Sequence, residues 1–128
     1  MSLTQRLMEV IQCSPSVTRL NESLFNNQIV NIKGAIGALK SLLLVNFFNR
    51  FSTQIVYICG DLEDAETVKE EVELFLGSAS VLYFPARIKK KGALHFSSHM
   101  AQAARNSTLE ALAEHQAKVL IVPSDGLL

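Results

Sequence analysis

Gly34, Lys40 and Ser41 follow one another in the order that phosphate chemistry uses. A P-loop reads G-x-x-x-x-G-K-[ST]: successive backbone N–H groups wrap the phosphates, the lysine reaches the terminal ones, and the hydroxyl serves magnesium. In Val30-Asn-Ile-Lys-Gly-Ala-Ile-Gly-Ala-Leu-Lys-Ser41, Gly34 opens the pattern and Lys40-Ser41 close it. Gly37 lies inside, and Leu39 stands where the second glycine belongs. That leucine brings bulk to a place where backbone must approach ligand. If the position also required a left-handed backbone, it would cost about 1–2 kcal/mol more. Two readings follow: a nucleotide loop with residual ATP affinity through Gly34, Lys40 and Ser41, or a strand-to-helix turn that has lost the function.

The remaining chemical candidates are weaker. A Walker B acid follows an apolar strand directly, to hold magnesium. Here Pro123-Ser124 separates Val122 from Asp125, which reads as a turn residue. Asp61 ends an apolar stretch where a ribose-binding acid of a dinucleotide fold would sit, but the G-x-G-x-x-G fingerprint is absent. Asp61 therefore reads as a helix cap. His95 and His99 share a helical face without a third ligand nearby. Cys59 reads as an inert buried thiol, and Cys13 has no neighbouring base to activate it. No catalytic residue and no metal site is assigned. Arg87, Lys89, Lys90 and Lys91 form a basic run that could meet phosphate backbone or an acidic protein surface. No aromatic platform accompanies it.

The elements that must position these residues are legible from periodicity. Leu3, Leu7, Met8, Val10 and Ile11 have helical spacing behind Ser2 as N-cap. Ser14-Pro15 starts a second helix with Val17, Leu20, Leu24 and Phe25 as its buried face. Ile29, Val30 and Ile32 predict a first strand, ended by Gly34. The helix after Gly37 is apolar almost all round and predicts deep burial. Gln54 to Cys59 predicts a second strand covered on both faces. Asp61 then starts a helix with Ala65, Val68, Val72, Phe75 and Leu76 inside and acids outside, ended by Gly77. Ser80 to Phe84 predicts a third strand and Lys118 to Val122 a fourth. Between them, residues 98–115 read as helix, with Met100, Ala104, Leu109, Leu112 and Ala113 inward.

This alternation predicts an α/β fold: a parallel sheet of about four strands with helices on both faces, preceded by a short helical segment. Residues 1–27 are that segment and residues 28–128 the main domain. A chain stopping at Gly126-Leu127-Leu128, just after a buried strand, reads as the front part of a larger protein.

At 48% hydrophobic residues the chain has material for a core. No apolar run reaches the roughly 18 residues of a membrane span, and no secretion signal follows Met1. With two separated cysteines, a reduced cytoplasmic setting is expected. A formal net charge of zero argues against a broad basic face for nucleic acid.

Four stretches, in their order and spacing, resemble the extreme N-terminal region of bacterial transcription-repair coupling factors, itself similar to the front of the excinuclease B protein. They are Asn31 to Lys40, at the degenerate P-loop; Ile55-Val-Tyr-Ile with Asp61-Leu-Glu-Asp-Ala-Glu66; Val81-Leu-Tyr-Phe-Pro85; and Arg105-Asn-Ser-Thr-Leu109 before Val119-Leu-Ile-Val-Pro123. The resemblance runs from about Leu24 to the end. It implies a helicase-like domain without ATPase function, its vestigial loop at Gly34, Gly37, Lys40 and Ser41. It implies a scaffold in transcription-coupled nucleotide excision repair, with no cofactor of its own; ATP and magnesium belong to a downstream motor. The implied partners are other domains of the same protein, with the excinuclease A protein recruited mainly by a following domain. DNA and RNA polymerase contacts are implied further downstream. The loop with three lysines is more basic than that family leads one to expect.

Overall fold

The computed structural model describes residues 2–84, 95–114 and 116–124, with residues 95–101 described by their backbone. Five α-helices and three strands lie among the described residues: α1 (Leu3–Gln12), α2 (Pro15–Phe25), α3 (Leu39–Phe51), β1 (Ile55–Cys59), α4 (Leu62–Leu76), β2 (Val81–Tyr83), α5 (His95–Ala113) and β3 (Val119–Pro123).

The strands form one parallel sheet in the order β1-β3-β2. β3 aligns Val119 with both Ile55 and Val81, so the three strands start level. The chain crosses from β1 to the far edge through α4, then returns through α5 to fill the middle. For right-handed connections this reversal sends α4 and α5 to opposite faces.

The core lies on the face of the odd-numbered strand residues. Cys59, Val81, Val119 and Ile121 meet Ala65, Val68 and Val72 of α4, with Leu44 and Val45 of α3 alongside. Those three α4 residues are spaced i, i+3, i+7, a single helical stripe, as the periodicity predicts. Asp61 caps that helix: its Oδ1 accepts from the Asp64 N–H at 2.7 Å. Gly77 ends it at φ +82, a conformation that favours glycine. Ser2 caps α1 in a full capping box with Gln5. Pro15 occupies the first turn of α2, after Ser14 at its N-cap position.

Four expectations are corrected. Among the described residues the sheet has three strands rather than four: Ile29, Val30 and Ile32 form no strand, and Ile29 is 99% exposed. Their β-branched side chains suit a strand, but among the described residues no neighbour strand pairs with them. Second, β1 is covered on one face only, since Val56 and Ile58 remain 54% and 57% exposed. As an edge strand it lies beyond the cover that buries Leu120 and Val122 at the centre. Third, among the described residues of α5 Arg105 and Thr108 are buried, whereas Ala104, Leu109 and Ala113 are exposed; the side chain of Met100 lies outside the described residues. Thr108 Oγ1 donates to the Tyr83 carbonyl at 2.6 Å, and the Arg105 guanidinium lies 4.0 Å from the centre of the Phe84 ring. Polar groups with partners can thus turn inward where small apolar ones need not. Fourth, α2 buries Val17 and Asn21 but not Phe25. Asn21 Oδ1 accepts from Asn46 Nδ2 of α3 at 2.9 Å, and that buried pair sets the rotation of the helix.

Candidate functional site

The loop that precedes α3 has the flexible residues a phosphate cradle uses. Gly34 and Gly37 sit at φ +84 and +60, in the left-handed region that side chains disfavour. Ala38 occupies the N-cap position without a side-chain cap, and the Leu39 N–H donates to the Ile36 carbonyl. Leu39 is the first residue of α3, so it has helical backbone and carries no left-handed strain. Its side chain lines an apolar groove with Leu43.

Lys40 points to a partner within the protein. Its Nζ lies 2.8 Å from Asp64 Oδ1, and the Tyr57 hydroxyl donates to Asp64 Oδ2 at 3.0 Å. Three elements meet here: the start of α3, the middle of β1, and the first turn of α4. The hydrogen bond from Lys40 holds the Asp64 carboxyl below the usual carboxylate range, against the opposing effect of its partial burial. The same bond pushes the Lys40 ammonium up. Burial raises the Tyr57 phenol, and its hydrogen bond to Asp64 adds to that. A phosphate brought to Lys40 would therefore have to displace a carboxylate already bonded to it and would meet that carboxylate's negative charge.

Ser41 is 1% exposed, and its Oγ has no hydrogen-bond partner among the described residues. Lys40 and Ser41 thus diverge in use: one is tied to Asp64, the other sealed in the helix packing.

Asp61 is engaged as the cap of α4, which accounts for it without a ribose. Cys59 is buried, and burial pushes its thiol up and away from reactivity. Cys13 is exposed. No group of three His, Cys, Asp or Glu residues is arranged to hold a metal ion among the described residues. Arg87, Lys89, Lys90, Lys91 and Asp125, and the side chains of His95 and His99, lie outside the described residues. No described helix is long and apolar enough to cross a membrane.

Asp64 and Tyr57 are the site residues that the sequence does not announce. Asp64 reads as one acid on an acidic helix face, and Tyr57 as a strand residue. Their link to Lys40 spans 24 and 17 positions respectively, and no local pattern signals it.

Comparison with known proteins finds no match to this chain: no family model, no curated protein and no solved structure corresponds to it.

Proposed function

We propose that this chain is a non-catalytic α/β module that works by docking to other protein surfaces, its loop lysine engaged in structure rather than in binding a nucleotide. The observation that carries this reading is the Lys40–Asp64–Tyr57 network. An ATPase needs its loop lysine free for the terminal phosphates and a carboxylate poised for magnesium. Here the nearest carboxylate neutralises the lysine instead. The resemblance carries the finer reading: a front module of a transcription-repair coupling factor, supporting excinuclease recruitment and restraining the rest of the protein during transcription-coupled repair.

Calorimetric titration with magnesium-ATP tests the first part. No heat up to millimolar nucleotide supports a docking module. Saturable binding that disappears in Lys40→Ala overturns it and favours the second reading, a nucleotide-binding fragment. The Ser41 hydroxyl, without a partner among the described residues, and the left-handed glycines Gly34 and Gly37 favour that alternative. Co-elution with the excinuclease A protein, or with the remaining domains of a coupling factor, tests the finer part. Failure with both removes the coupling-factor assignment and leaves the docking module.

A further inference from the structure

Between α1, α2 and the segment before α3 runs an open groove of about 650 Å³. One wall is α2, through Val17 and Leu20. The other is the segment, through Val30 and Ile32, and Leu39 and Leu43 lie at its base. The α2 wall extends from Ser16 to Ser23, about 10 Å at 1.5 Å per residue. That is the span of a helix presenting side chains at i, i+4 and i+7.

Two observations give the occupant its chemistry. Arg19 on α2 and Lys33 on the segment stand on opposite walls, no acid lines the groove, and neither cation has an ion pair among the described residues. The apolar surface also continues outside. Leu3, Leu7 and Val10 form an i, i+4, i+7 stripe on α1, with Leu3 73% and Val10 70% exposed, and Val10 itself lines the groove. Arg6 neighbours that stripe at three residues from Leu3 and four from Val10.

We propose that this groove binds a short amphipathic helix of a partner protein, whose aliphatic stripe is flanked on both sides by carboxylates. The apolar base takes the stripe, and Arg19 and Lys33 meet the two acidic flanks. Among the described helices a second copy of this chain offers no such helix: acidic α4 keeps Ala65, Val68 and Val72 in the core, and the exposed stripe of α1 has Arg6 beside it. A lipid bilayer is flat and does not enter a concave groove. The inference names the partner class for a docking module and holds whatever the state of the nucleotide loop. The two tests therefore fail separately: nucleotide calorimetry reads Lys40, and peptide titration reads the groove.

The test uses the 128-residue chain and a labelled helical peptide with leucines at i, i+4 and i+7 flanked by glutamates, beside a twin flanked by lysines. The expected result is saturable binding about tenfold tighter for the glutamate peptide, the yield of two exposed ion pairs. Methyl NMR shifts should map to Leu20, Leu39 and Leu43. Arg19→Glu/Lys33→Glu should reverse the preference; both side chains are exposed, and circular dichroism checks that the fold is kept. Absence of binding by either peptide, equal binding of the two, or shifts away from the groove overturns the proposal. Binding only to vesicles of anionic lipid overturns it in favour of a membrane surface. Self-association that protects the same methyls overturns it in favour of a second copy.

Discussion

Lys40 and Asp64 are 24 positions apart in sequence and 2.8 Å apart in space, and their contact joins the first turn of α3 to the first turn of α4. The pair engages the loop lysine in an internal contact. Both side chains remain partly exposed, so its influence shows best where charge is titrated.

Asp64 is held below its ordinary range in the fold, so its stabilisation is present above the unfolded carboxylate value and is lost as pH falls through the folded one. Lys40 and Tyr57 are raised, so theirs is present below their unfolded values and is lost as pH rises through the folded ones, above about pH 10. Asp64→Asn should flatten the acid limb and the Lys40 part of the alkaline one, while the burial that raises Tyr57 remains. Urea unfolding midpoints measured across pH check this, and an unchanged acid limb in the variant would remove Asp64 as its source.

Leu39→Gly restores the letter of the phosphate-loop pattern. It should create no measurable ATP affinity, because Lys40 stays bonded to Asp64. Only with Asp64→Asn in addition does the ammonium become available. Calorimetry on the single and double variants separates backbone shape from lysine engagement as the obstacle.

The Asn21–Asn46 pair lies buried between α2 and α3. Asn46→Leu leaves Asn21 without its donor and should cost about 1–3 kcal/mol. Asn21→Leu/Asn46→Leu should cost less than the sum of the two single changes, because no orphaned amide remains. A double-mutant cycle by chemical denaturation measures the coupling.

Thr108→Val keeps the shape of a buried residue but removes the donor to the Tyr83 carbonyl. The expected loss is about 1–2 kcal/mol, with amide exchange accelerating in β2 before β1. Uniform acceleration through the sheet would mean that this contact does not anchor α5 to β2.

Substitutions at Ile121 and Ile36 should differ sharply despite the shared residue type. Ile121 is fully buried in the central strand, and Ile121→Ala should cost about 2–5 kcal/mol. Ile36 is exposed in the loop, and Ile36→Ala should stay within about 0.5 kcal/mol. Equal losses would place Ile36 in a packing role that its exposure does not indicate.

Much of the fold is legible in the sequence because local chemistry and tertiary role agree. Ser2 and Asp61 are caps, Gly77 is a stop, and the stripe Ala65, Val68, Val72 faces the core as its spacing requires. The failures occur where the outcome depends on a distant neighbour. Ile29 to Ile32 has the residues of a strand but no pairing partner among the described residues, which a short apolar run cannot disclose. Arg105 and Thr108 look like solvent residues until Phe84 and Tyr83 are brought beside them. At the loop, the pattern of glycines and lysine is visible in sequence, but the carboxylate that occupies the lysine is not.

β3 comes last of the three strands in sequence and lies between the other two. A ribosome releases β1, then β2, with a strand-wide gap between them that neither can close. Between the release of residue 83 and that of residue 123 both strands offer unsatisfied backbone to whatever passes, and the sheet can form only when residue 123 has cleared the exit tunnel. Folding is then a late insertion rather than a gradual accretion, limited by closure over the β1–β3 distance. During that interval the unpaired strand edges are the kind of surface that aggregates and that chaperones shelter.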